Sequence, residues 1–205
     1  MTSRERVLEA FAHREPDRVP FWVGASPEFR EIVRASLGLA DDEALSRFIG
    51  DDFRRVWASY VGPPGRSPSS CFRHPEATCR TPFGIERRGY GFGQPLDHPL
   101  SGASTAAEIE RFPWPDPDWM DVSAVRADAL RWRGEFAILG GDWSPFFHDA
   151  IDLFGMERFM TLMIDAPEVV DAALDRMVDY YHEVSRRIFQ AARGAIDIFF
   201  IGNDF

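Results

Sequence analysis

Ala195-Ile196-Asp197-Ile198-Phe199-Phe200-Ile201-Gly202-Asn203-Asp204-Phe205 is the stretch whose reading decides the fold. A near-continuous apolar run directly after a long amphipathic helix reads as a parallel strand, buried on both faces, in a layered α/β protein. The run opens into the polar turn Gly202-Asn203-Asp204. Ligands of such folds bind just past the C-terminal ends of strands. The stretch therefore predicts a strand that stops at the threshold of an active site.

Upstream, Pro167 opens the longest helix, with Val170, Leu174, Met177, Val178, Tyr181, Ile188 and Phe189 on one stripe. Glu168 near its start and Arg187 and Arg193 near its end suit the helix dipole, and Gly194 terminates it. Phe136-Ala137-Ile138-Leu139-Gly140-Gly141 reads as another strand, delivering Asp142 and Trp143 at its end. Helices over 145–154 and 156–164 follow, separated by Gly155.

At the other end, Thr2 and Glu5 form a capping box for a helix with Val7, Leu8 and Phe11 on one apolar face. Glu15-Pro16-Asp17-Arg18 breaks it, and Val19-Pro20-Phe21-Trp22-Val23 reads as a first strand. Ser26 and Pro27 are a cap and first position for the next helix, which Gly38 closes. A shorter helix runs over 41–48, and a second strand over 53–60, less apolar because of Arg54 and Arg55. Residues 62–120 are irregular. They contain a hairpin over 81–93, a helix over 105–112 stopped by Pro113-Trp114-Pro115-Asp116-Pro117-Asp118, and then a helix over 122–132.

Four strands separated by helices imply parallel βα units with right-handed crossovers. A (β/α)8 barrel needs about 250 residues. The expectation is an α/β fold, the first four strands of a TIM-like barrel in one unit over 1–205, with 62–120 as an insertion and the rest of the barrel beyond Phe205. A four-strand open sheet is the alternative, and its last parallel strand would be an uncovered edge.

The net charge of −10 and a pI near 5.0 argue against nucleic acid or an acidic membrane as partner. No run approaches the ~18 apolar residues of a membrane span, and the N-terminus is a charged helix rather than a signal peptide, so a cytoplasmic location is expected. All 23 basic residues are arginine, which excludes a Schiff-base or P-loop lysine within these residues. Cys71 and Cys79, with His74 between them, match no closed four-ligand metal pattern.

Several segments together resemble the uroporphyrinogen decarboxylase family and its methyltransferase relatives. They are Thr2-Ser3-Arg4-Glu5-Arg6-Val7-Leu8, Glu15-Pro16-Asp17-Arg18-Val19-Pro20, Phe112-Pro113-Trp114-Pro115-Asp116-Pro117-Asp118, Leu153-Phe154-Gly155-Met156-Glu157 and Ile198-Phe199-Phe200-Ile201-Gly202-Asn203-Asp204-Phe205. The resemblance implies a TIM-like barrel. It also implies either cofactor-free decarboxylation of uroporphyrinogen in porphyrin biosynthesis, or methyl transfer between methylated or methoxylated compounds, corrinoid proteins and thiols, typically with zinc. The decarboxylases carry an Arg-Gln-Ala-Gly-Arg segment after the first strand, where this chain has Val23-Gly24-Ala25-Ser26-Pro27. Their aspartate after the second strand corresponds to about Ser59, and their tyrosine after the third falls near Ile151. A tetrapyrrole with eight carboxylates needs cationic or polar donors, and isoleucine donates nothing. The methyltransferase branch therefore fits better; its zinc ligands would lie beyond Phe205. Uroporphyrinogen decarboxylation and a non-catalytic half-barrel binding module are the alternatives, and a homodimer is compatible with either.

Candidate catalytic residues are Asp142, at the end of the third strand, and Asn203 and Asp204, at the end of the fourth. Asp142 can equally cap the helix after Pro145. Trp22, Trp57 and Trp143, each near a strand end, are candidates to line a pocket for a methoxyaryl or corrinoid face, with core packing as the commoner role of any one of them. Ser59 and His148 complete the candidate substrate set, although a lone histidine on a helix is more often structural.

Overall fold

The computed structural model describes residues 1–67, 76–89 and 93–202; Cys71, His74, Asn203 and Asp204 lie outside the described residues. The described chain is mixed α/β, with eight α-helices and eight short strands. The strands form three separate sheets, none of which closes into a barrel. Contacts divide the chain into two compact units. The first comprises residues 1–58, 122–141 and 187–200; the second comprises 59–121, 142–186 and 201–205.

In the first unit, α1 (Ser3–Phe11) starts at Thr2, whose hydroxyl accepts the Glu5 amide while the Glu5 carboxylate accepts the Thr2 amide. α2 (Pro27–Leu37) is capped by Ser26 and closed by Gly38 at φ 65°. α3 (Asp42–Ile49) is capped by Asp41 and closed by Gly50. The sheet runs β1 (Phe53–Arg55), β7 (Ala137–Gly140), β8 (Ile198–Phe199), all parallel, with Phe53 opposite Ala137 and Leu139 opposite Ile198. Helices α1 and α5 (Val125–Trp132) lie against β7, whose four residues are all buried.

Two of the four expected strands are corrected. The segment Val19–Val23 is not a strand. Pro20 has no amide to donate, and the Phe21 amide is taken by the Asp52 carboxylate at 2.8 Å instead of a ladder carbonyl. The second strand ends at Arg55. Ser59–Tyr60 is β2, paired antiparallel with β6 (Met120–Asp121) in the other unit. The last strand is present but short, and it is not buried on both faces, since Phe199 is 51% exposed. The acid just before it is anchored, its side chain 4% exposed. Asp197 accepts Arg4 at 2.8 Å, Arg133 at 3.5 Å and the Ile138 amide at 3.1 Å.

Gly140 and Gly141 let this last segment approach β7. A Cβ on Gly140 would stand 2.4 Å from Ile196 Cδ1, and one on Gly141, at φ 102°, would stand 2.5 Å from the Phe199 ring. Gly140→Ala is therefore expected to cost about 1–3 kcal/mol through overpacking, measured as a drop in denaturation midpoint at unchanged m. An unchanged midpoint would show that Ile196 swings aside freely.

The second unit holds a meander of β3 (Thr78–Arg80), β4 (Glu86–Arg88) and β5 (Gln94–Pro95), which replaces the expected hairpin over 81–93. Its helices are α4 (Ala106–Glu110), α6 (Phe146–Phe154), α7 (Met156–Asp165) and the larger part of α8 (Pro167–Ala192). Phe83 sits at the centre of its core, with ring centroids 5.5 Å from Tyr180, 5.6 Å from Tyr181 and 6.1 Å from Trp114. Among the described residues no helix is long and apolar enough to cross a membrane.

Candidate functional site

In the first unit the C-terminal ends of the parallel strands carry an aromatic and cationic rim. Arg55 ends β1, and Trp57 stands two residues past the strand. The Val56 amide donates to Leu139 O at 3.0 Å and the Phe200 amide donates to Gly140 O at 3.0 Å, so both flanks of the rim are fixed to β7. The Arg55 guanidinium lies 3.7 Å from the centroid of Trp57 and 4.4 Å from that of Phe200. Trp22 packs on Phe200 with centroids 5.3 Å apart, and its own ring folds back over Gly24, where a Cβ would meet it at 3.0 Å. The Arg55 nitrogens are buried, whereas Trp22 and Trp57 remain 42% and 47% exposed. A desolvated guanidinium over indole is held by cation–π attraction of about 2 kcal/mol. The rim therefore offers partly open indole faces with positive charge beneath them. It can bind and orient a flat ligand carrying negative charge; none of its four side chains is an acid or base near neutral pH.

Of the expected lining residues, Trp22 thus packs on Phe200 and Trp57 on Arg55, and the two remaining catalytic and lining candidates at the third strand's end belong to the second unit. There the Asp142 amide donates to Ser185 Oγ at 3.1 Å, and its carbonyl accepts the Ser144 hydroxyl at 3.3 Å. Asp142 is not a cap for α6: that helix begins after Pro145 with no side-chain cap. Trp143 covers Gly202, whose amide donates to the Trp143 carbonyl at 2.8 Å and whose Cα would place a Cβ 2.5 Å from the indole. His148 is an exposed residue of α6, beside Phe147. Ser59 is exposed in β2 opposite Asp121 and does not stand at the end of β1.

The second unit also buries an acid that the sequence reading passed over. Asp149 accepts the Tyr181 hydroxyl and lies 3.6 Å from an Arg87 nitrogen; Arg87 also pairs with Asp152. Burial pushes the Asp149 carboxyl up to about 6, against the opposing pull of Tyr181 and Arg87. The same burial, with Asp149 alongside, drives the Tyr181 phenol far above its ordinary value. A signal for this pair was available. Asp149 shares a helical face with Phe146 and Leu153, and Tyr181 lies on the apolar stripe of α8. Arg55 was visible only as a charge that weakened the strand pattern.

Among the described residues no three His, Cys, Asp or Glu side chains gather into a group that could hold a metal ion. The chain matches no protein-family profile, no curated protein and no solved structure.

Proposed function

We propose that the intact protein is a uroporphyrinogen decarboxylase-family enzyme of TIM-like fold, acting as a methyltransferase or demethylase component on a small methoxylated or methylated compound, with a corrinoid or a thiol as the other methyl carrier. The observation that carries this reading is the rim at the ends of β1 and β8, in which Arg55 underlies Trp57 and Phe200 and Trp22 packs beside them. In a barrel of that family β1, β7 and β8 are neighbouring strands, and their C-terminal ends are where substrate is held. A methoxyaryl ring would stack on the open indole faces. A ring carboxylate would be drawn by the guanidinium, which is too enclosed to serve a large polyacid. The rim residues bind and orient; the reading assigns them no proton transfer.

Binding of 4-methoxybenzoate followed by calorimetry tests the rim. Trp57→Ala is expected to weaken it about tenfold, the loss of one aromatic face, with the melting temperature little changed because Trp57 is half exposed. Equal binding by the variant, or none by the parent chain, would remove the rim as a substrate site. For the reaction, release of 4-hydroxybenzoate in the presence of a reduced corrinoid supports methyl transfer. Coproporphyrinogen formed from uroporphyrinogen would replace it with decarboxylation.

A further inference from the structure

In the first unit, the start of α5 and the end of α8 border an open groove of about 600 Å³. That volume lies in the range of sites for small organic ligands. Ser123, Arg126, Arg187, Gln190 and Arg193 line it, and none of its described lining residues is acidic. In a chain with 33 acidic residues against 23 arginines, three guanidiniums around one groove are a local reversal of charge.

Arg187 and Gln190 stand three apart in the last turns of α8, and Arg193 follows directly after its last residue, Ala192. Arg126 is fixed in place from below. One of its terminal nitrogens donates to the carbonyls of Ala192 at 3.1 Å and Arg193 at 3.4 Å, which leaves other N–H groups of the same planar fork for a ligand. Arg193 has φ 49° and the following Gly194 has φ 76°. The left-handed region favours glycine, yet the position carries a long cationic side chain at the groove. Neither the family resemblance nor the proposed reaction makes use of any of these residues.

We infer that this groove is an anion site for a small phosphate-bearing ligand, such as a phosphate ester or a diphosphate, gripped by Arg126, Arg187 and Arg193 and supplemented by the Ser123 hydroxyl and the Gln190 amide. Guanidinium forks match phosphate oxygens in pairs, so three of them around one groove suit a ligand with several such oxygens. The overall acidity of the chain disfavours a nucleic-acid backbone as the source of the phosphate.

Titration with inorganic pyrophosphate in low salt, by calorimetry and by thermal melting, tests the inference. The parent chain is expected to bind with a Kd below ~1 mM and to weaken as salt is added. Arg193→Gly removes the guanidinium and suits the left-handed backbone. It should keep or raise the melting temperature while weakening pyrophosphate about tenfold. Arg187→Gln should weaken it to a similar degree. A nucleoside monophosphate that competes with pyrophosphate would support a small-ligand site. Absence of binding up to ~10 mM pyrophosphate, or parent-like binding by both variants, would overturn the inference. So would a short oligonucleotide that binds more tightly than pyrophosphate and is released by neither substitution.

Discussion

Asp52→Ala is expected to destabilise the chain by about 3–5 kcal/mol, the usual loss when one member of a buried ion pair is deleted. The Asp52 side chain is fully buried, and it accepts Arg6 at 2.7 Å, Arg18 at 2.7 Å and the Phe21 amide at 2.8 Å. Removing it leaves Arg6, itself almost buried, with Asp17 as its remaining carboxylate and strands the Phe21 amide. Asp52→Asn keeps an acceptor for that amide and should lose less. These partners hold the Asp52 carboxyl below its ordinary value of 3.8, although burial alone would raise it. Its native pKa is depressed, so its contribution is complete at neutral pH and disappears as pH falls below about 4. Urea titrations at pH 7 and pH 3 measure both effects. A loss at pH 7 of under ~1 kcal/mol for the alanine variant would mean that water replaces the carboxylate, as it does at exposed ion pairs.

Asp149→Asn is expected to act in the opposite direction. Burial raises this carboxyl from 3.8 to about 6, so between those values the native state holds a proton that the unfolded chain has released. Stability therefore declines as pH rises through that window, and at neutral pH the deficit is on the order of 3 kcal/mol. Asparagine cannot ionise, and its carbonyl can still accept the Tyr181 hydroxyl, while Arg87 keeps Asp152. The variant should match the parent near pH 4, exceed it by as much as about 3 kcal/mol at pH 8, and show a flat profile between. The charged groups that decide the sign are Arg87, which favours the ionised form, and Asp152 and Asp142, which oppose it. A variant less stable than the parent at pH 8, with the slope unchanged, would show that the Arg87 attraction outweighs burial.

The network around Asp52 also gives a physical reading of the N-terminal segments that carry the family resemblance. Arg4 grips Asp197, Arg6 grips Asp17 and Asp52, and Arg18 grips Asp52. The charged residues of both segments thus tie α1 and the loop after it to the starts of β1 and β8. They position the sheet.

What could be read from the sequence alone is what adjacent residues decide. The capping box at Thr2, the Ser26 cap, the left-handed Gly38 and the start of the long α8 at Pro167 follow from contacts within a few residues, and all are present. The parallel placement of 137–140 beside 198–199 was legible too, because both runs are apolar and alternate with helices. The tertiary structure alone decided where strands fail or stop. Asp52 and Asp197, distant in sequence from the amides they accept, replace ladder bonds at Phe21 and Ile138. It alone brought Arg55 between Trp57 and Phe200, which stand far apart in the sequence. It also turned Asp149 from a helix-surface acid into a buried one by setting Tyr181 and Arg87 against it. Helix ends are written in local hydrogen bonding, whereas the fate of a charged side chain depends on which distant partner desolvates it and which answers its charge.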